Sequence, residues 1–311
     1  MSEFLPTTLE EIQQRGWEQI DFLFISGDAY VDHPSFGPAV ICRVLESKGY
    51  KVAMLSQPDW KAEKSLTALG KPRLGVLISG GNLDSMLCHY TAARKLRKKD
   101  NYTPGGIMGK RPDHATVVYS KLAKKLWPDL PVIIGGIEAS LRRFAHYDYW
   151  ENKLLSSILI ESGADLLIYG MGEKQVVEIA DYLAGGADIS TIQYVRGTSY
   201  VCDDLQNVTE QYVSLPSYES ILQDKKLLAN AYKLQSDEQD PFYGKIVIQQ
   251  FATRYVVQNQ ATYPLTEQEM DAIYDLPYCR TYHPSYEKLG GVSAIEEGKF
   301  SMISQCGCFG S

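Results

Sequence analysis

The residues able to do chemistry in this 311-residue chain stand mostly in short turns that follow strand-like runs. They read Ser26-Gly27-Asp28, with Asp32-His33 and Gly37 just beyond, then Ser79-Gly80-Gly81-Asn82, Gly135-Gly136-Ile137-Glu138 and Gly170-Met171-Gly172-Glu173. In an open parallel sheet, ligands bind outside the carboxyl ends of the strands. The candidate cofactor-binding residues are therefore Asp28, Ser79, Gly80, Gly81, Asn82, Gly135, Gly136, Glu138, Gly170 and Gly172. Glycine lets backbone amides approach a ligand, and the helix N-termini behind such turns favour an anionic group. The expected cleft would take a phosphate-bearing or flat cofactor. Glycine is equally the way a tight strand-to-helix turn is made. None of the turns is a Walker sequence or follows Gly-x-Gly-x-x-Gly, so nucleotide hydrolysis and dinucleotide redox chemistry gain no specific support.

Other polar groups keep two readings each. Asp32 with His33 could bind a metal or act as an acid and base pair, or could be a turn residue and a helix cap. The densest cluster lies in 135–150, where Glu138, Arg142, Arg143, His146 and Asp148 stand among aromatics. Its two arginines could hold a carboxylate or phosphate in bidentate fashion, or could pair with Asp148 and Glu151 to fasten a loop. Cys88-His89 falls inside a predicted helix, where neighbours point about 100° apart, so it is not a nucleophile and base pair by itself. The 21 tyrosines are read as packing. No catalytic residue is assigned.

The elements that must position these turns alternate. Strands are predicted over 21–26, 51–55, 74–79, 132–134 and 165–169, and helices over 38–48, 84–98, 114–127 and 173–183. Near-continuous apolar strands separated by helical patterns indicate a doubly wound α/β domain, Rossmann-like, with a mostly parallel sheet of about five strands. This domain is expected over 1–185. The turn-rich stretch 101–112 is read as an excursion near the ligand edge. Past Gly185-Gly186 the alternation stops. An α+β extension is expected over 186–298, wrapping the first domain. It comprises a hairpin (192–196 with 199–202), a long polar helix over 217–234, a strand over 245–257 and a helix capped by Thr266. A final strand is expected at 300–304.

Composition narrows the function classes. Hydrophobic residues make up 44% and charged residues 22%, the balance of a folded globular protein. The net charge of −7 offers no broad basic face for a nucleic-acid backbone. The one dense basic run, 94–99, is read as the solvated end of a helix, with a local anion or RNA contact as its alternative. No stretch reaches the ~20 apolar residues of a membrane span, and the N-terminus lacks the pattern of a signal peptide. The expected compartment is the cytoplasm, where a disulfide framework is not expected. The six cysteines, Cys42, Cys88, Cys202, Cys279, Cys306 and Cys308, are then buried thiols or ligands.

Cys306-Gly307-Cys308-Phe309-Gly310-Ser311 closes the chain. This stretch, together with 27–37, Ser79-Gly80-Gly81-Asn82-Leu83-Asp84 and 135–150, resembles the YgiQ-type radical S-adenosylmethionine proteins. Their cluster loop reads Cys-x-x-x-Cys-x-x-Cys, with Phe-Gly after its first cysteine. Cys308 matches that first cysteine. Cys306 does not, because position 310 is glycine. The resemblance covers the whole chain as the N-terminal half of such a protein. It implies a cobalamin-binding-like first domain and, from 299 on, the first strand and cluster loop of a barrel cut short within that loop. The implied cofactors are a [4Fe-4S] cluster, held by Cys308 and two cysteines beyond Ser311, and S-adenosylmethionine. The implied activity is radical chemistry on an unknown substrate, small or macromolecular, with a reductant of the flavodoxin or ferredoxin type as partner and nucleic acid not expected. Cobalamin is a weaker implication. The motif Asp-x-His-x-x-Gly is absent, since Asp32-His33 has no spacer and Gly37 stands four residues after His33. The fragment alone is expected to be inactive. The alternative is a stand-alone Rossmann-like binding module for a small anionic ligand or cofactor, without catalysis.

Overall fold

The computed structural model describes residues 3–300. Five parallel strands, β1 (Phe22–Ser26), β2 (Val52–Ser56), β3 (Gly75–Ser79), β4 (Val132–Gly135) and β5 (Leu166–Ile168), lie in the spatial order β2-β1-β3-β4-β5. Successive strand residues point to opposite faces. Phe22, Phe24, Leu77 and Ile133 accordingly join the apolar cluster on one face, and Leu23, Ile25, Val76 and Ile134 the cluster on the other. Both faces are apolar, so both must be covered. Helices α1 (Gly37–Ser47) and α4 (Glu173–Ala184) pack together on the first face, and α2 (Ala115–Leu126) and α3 (Ile158–Ser162) on the second. The chain is thus a doubly wound α/β fold.

Helix α4 shows how the local sequence sets an element. Val176, Ile179, Ala180 and Leu183 recur at helical spacing and are buried. Each large apolar side chain contributes about 1.5–3 kcal/mol on burial. Gly186 ends the helix with a left-handed φ of 87° and donates its N–H to the Leu183 carbonyl at 3.1 Å.

The sheet does not stop at five strands. β6 (Thr198–Cys202), β7 (Tyr212–Ser214), β8 (Ile246–Phe251) and β9 (Arg254–Gln258) extend it in the order β5-β6-β9-β8-β7. Pairs β5·β6, β6·β9 and β9·β8 are antiparallel and β8·β7 is parallel. An uncovered edge at β5 would leave a row of unpaired amides and carbonyls. The added strands cover it, and both apolar clusters continue into them through Tyr200, Ile248 and Val257 on one face and Val247 and Val256 on the other.

Several expected elements differ. The hairpin at 192–202 does not form, because Ser199 pairs with Leu167 and Gln258 instead. The strand expected over 245–257 is a hairpin turning at Ala252, whose φ is 51°. The helix over 217–234 breaks into Tyr218–Gln223 and Lys226–Asp237 at Asp224, which is extended and accepts the Lys226 N–H at 2.9 Å. The helix over 84–98 is only Ser85–His89. Arg94 turns the chain with a φ of 57°, and Arg97 folds back to donate its Nε–H to the Leu87 carbonyl at 2.9 Å. The basic run therefore lies on a loop and is not a helix end. Residues 301–304 of the strand expected at 300–304, with Cys306 and Cys308, lie outside the described residues.

Candidate functional site

The turns after the parallel strands meet because the register is level. Ser26 is opposite Ser56 and Ser79, and Ser79 is opposite Gly135. The chain reverses direction across the sheet between β1 and β3, the topological switch point where such folds open a crevice. A cleft of about 350 Å³ lies there, lined by Ser79, Gly81, Asn82, Gly135, Gly136, Gly170 and Gly172 on the strand ends and by Ile41 and Val176 from α1 and α4.

Close approach dictates glycine at two of these turns. A Cβ on Gly81, with φ at 116°, would lie 2.2 Å from Asp28 Oδ1, and one on Gly136, with φ at 81°, would lie 2.5 Å from Ser79 Oγ. Asn82 ties the rim together. Its N–H donates to Asp28 Oδ2 at 2.6 Å, its Oδ1 accepts the Gly37 N–H at 3.1 Å, and its Nδ2 donates to the Ser35 carbonyl at 3.0 Å.

Asp28, Gly80 and Glu138 stand behind the lining. Arg111, 1% exposed, donates to Asp28 at 2.6 Å, to the Gly80 carbonyl at 3.0 Å and through Nη2 to Asp100 at 2.8 Å. One guanidinium faces two buried carboxylates, and burial pushes the Asp28 carboxyl up to about 6. Glu138 accepts hydrogen bonds from Ser85 N at 2.8 Å and Thr116 N at 2.9 Å, and so pins the first turns of two helices.

The remaining chemistry-bearing residues are dispersed. Asp32 is held by the buried Arg43 and accepts the Cys279 N–H at 2.8 Å, while His33 Nδ1 accepts the Ser35 N–H at 3.1 Å. Arg142 pairs with Asp84 and lies 4.0 Å from Asp148. Arg143 donates to Gln258 Oε1 at 2.6 Å and stacks 4.9 Å from the Tyr169 ring centre. His146 Nδ1 contacts the Phe144 carbonyl at 3.0 Å, and burial pushes the imidazole down to about 4. Burial pushes the Cys88 thiol up to about 12, away from nucleophilic use. Among the described residues, no three His, Cys, Asp or Glu are placed to hold a metal ion, and no helix is long and apolar enough to cross a membrane.

The profile of the Radical SAM N-terminal family matches residues 4–301. The chain belongs to that family. It is 53% identical over 310 residues to a UPF0313 protein of Clostridium perfringens (strain 13 / Type A), covering 100% of this chain and 47% of the relative. It is 51% identical over 309 residues to a UPF0313 protein of Clostridium botulinum (strain ATCC 19397 / Type A), covering 99% and 48%. The chain spans about half the length of the curated relatives it matches. Among solved structures, TsrM from Kitasatospora setae, a radical S-adenosylmethionine methyltransferase with tryptophan substrate and a SAM analog bound, overlaps 58% of this chain and 28% of its own at a TM-score of 0.39 and 21% identity. That likeness is too loose to inform the site.

Two features of this Radical SAM N-terminal chain escaped the sequence reading. Leu265, Ile273 and Tyr274 of the extension form a further wall of the cleft, and Ile168 and Val176 make its inner surface hydrocarbon. The helical spacing of Ile41 and Val176 was a visible signal, whereas the approach of 265–274 is tertiary. Among the described residues, the lining contains no lysine, arginine or histidine. Cobalamin held through a lower-ligand histidine does not fit these residues, because Asp32 is engaged by Arg43 and no histidine lines the cleft among the described residues.

Proposed function

We propose that this chain is the N-terminal portion of a radical S-adenosylmethionine enzyme of unidentified substrate, and that its cleft is a surface for a flat cofactor or for part of the substrate. The family match over 4–301, with relatives about twice as long, carries the reading. The [4Fe-4S] cluster would be held by Cys308 with two cysteines beyond Ser311. When bound, the cluster and S-adenosylmethionine supply the radical chemistry, and the protein positions and shields it. A small reductant of the flavodoxin or ferredoxin type would be the electron source, in the cytoplasm.

The residues described here contribute a level edge of glycine turns, an apolar slot and a rim clamped by Asn82. The slot, lined by the Glu173 carboxyl and, among the described residues, by no lysine, arginine or histidine, suits an uncharged group better than a free anion. The test is anaerobic reconstitution of the full-length polypeptide. About four irons per chain are expected in the native sequence, with a large loss in Cys308→Ala. Unchanged iron in that variant would refute the cluster assignment.

A further inference from the structure

The antiparallel strands leave a group of exposed rings at one edge of the sheet. Thr198 at the start of β6 is opposite Ile168 at the end of β5, and Gln258 at the end of β9 is opposite both Ser199 of β6 and Val247 of β8. The segments before β6, after β9 and before β8 therefore leave the sheet together. They bring together Arg196, Tyr263 and Phe242, with Tyr243 next in the chain. The Arg196 guanidinium lies 4.4 Å from the Tyr263 ring centre and donates to the Ala261 carbonyl at 3.0 Å and the Pro241 carbonyl at 2.5 Å, so one side chain ties two of the segments to its own. The Phe242 and Tyr263 ring centres are 5.6 Å apart. The backbone holds Phe242 and Tyr243 out in water. Asp240 Oδ1 accepts the Phe242 N–H at 2.7 Å and the Tyr243 N–H at 2.9 Å, and a Cβ on Gly244 would lie 2.5 Å from the Asp240 and Glu238 carbonyl oxygens, so the turn is tight. Phe242 is 65% exposed and Tyr243 85%, and Tyr263 is exposed beside them. Exposed apolar side chains are ordinary when scattered singly, whereas a contiguous group marks an interaction surface. Tyrosine and arginine are enriched among the residues that dominate binding at protein interfaces. Rings fixed in place beforehand also lose little freedom on docking.

The length of the relatives and the course of the chain indicate what covers these rings. The curated relatives are about twice as long as this chain. The last described turn is fastened where the Ala294 N–H donates to the Asn101 carbonyl at 3.0 Å, and a Cβ on Gly298 would lie 3.6 Å from Ser35 Oγ. Ser35 lines the cleft, and so does Leu265, two residues past Tyr263. The chain thus leaves its described part on the same continuous surface that carries the aromatic group. We propose that Arg196, Phe242, Tyr243 and Tyr263 form the docking surface for the part of the full-length polypeptide beyond Ser311, which meets them with an apolar face. The assignment rests on the reading of this chain as the N-terminal portion of a longer protein.

The test is hydroxyl-radical footprinting of the full-length protein, with the 311-residue chain as reference and mass spectrometry to read the oxidation of each side chain. Phe242, Tyr243 and Tyr263 should oxidise at least about fivefold more slowly in the full-length protein, because an interface excludes water from its central residues. Leu222 is the control. It is exposed on a helix whose Glu219 accepts the Ala252 N–H at 2.9 Å, at the opposite edge of the sheet, and should oxidise alike in both proteins. Tyr243→Ser in the full-length protein removes one anchor and should raise the oxidation of Phe242 and Tyr263 about threefold or more. This variant decides alone if the 311-residue chain does not fold, and unchanged rates at the two rings would then overturn the assignment. Equal rates at the three rings in the two proteins would overturn it as well. So would protection that grows with protein concentration, the signature of a second copy of the chain. Iron content in the Cys308 experiment is independent of these rates, so the docking surface can fail while the cluster assignment holds.

Discussion

Acidification should destabilise this chain through His146, by an amount that follows from its burial. The side chain is 6% exposed, its Nδ1 faces the Phe144 carbonyl, and its Nε2 has no partner among the described residues. Burial is the main cause of the drop from 6.5 to about 4, with the Arg142 charge adding to it and Asp148 opposing it. The unfolded chain therefore takes up a proton near pH 6.5 while the folded chain refuses it until near pH 4. The stability contributed by the neutral imidazole is present above the unfolded value and is lost as pH falls through that window. Between pH 7.5 and pH 5 the loss works out at about 2 kcal/mol. Urea unfolding of the native chain and of His146→Asn at both pH values isolates the contribution, since asparagine keeps a donor near Nδ1 and does not titrate. The native chain should lose about 2 kcal/mol more than the variant over that interval. Equal losses would refute the reasoning, because they would mean that the buried ring accepts its proton freely in the folded state.

Asp28 should act with the opposite sign. Its carboxyl lies at about 6 when folded against an ordinary value of 3.8, so its contribution is present at low pH and lost as pH rises through 6. Relative to Asp28→Asn, the native chain should gain about 1.4 kcal/mol on going from pH 7.5 to pH 5 by the same urea measurement, and a loss would contradict the assignment. The two effects partly cancel in the native chain, so only the paired variants separate them. Gly81→Ala should cost more than about 2 kcal/mol, because a left-handed φ and contact with the Asp28 carboxylate both oppose the methyl group. Gly186→Ala, with φ at 87° and open space around it, should cost only about 1 kcal/mol. Similar urea midpoints for the two alanine variants would show that the close approach at Gly81 relaxes without cost.

Much of the parallel half was legible because its signals are local. Five apolar strands and the helices α1, α2 and α4 lie within a residue or two of the expected bounds, since side-chain alternation and helical spacing act over a few residues. The extension was harder to read. Ser199 finds its partners at Leu167 and Gln258, and no pattern within 192–202 states which strand will be adjacent. The basic stretch 94–99 carries helical composition, yet Arg97 stabilises the chain by turning back on Leu87 and Tyr90.

The candidate site divides in the same way. Sequence alone determined that glycine-bearing turns follow the parallel strands, because turn chemistry is written in the residues that make the turn. It also determined that Asp28 and Glu138 are adjacent to those turns. Only the tertiary structure decided what faces the ligand side. Asp28 turns inward to Arg111, which lies 83 residues away, and Glu138 pins Ser85 and Thr116. Glu173, next to Gly172 in the chain, is buried at the cleft wall with Oε2 unpartnered among the described residues. Burial of a charge depends on what the rest of the chain places around it, and that surrounding comes from residues far away in sequence.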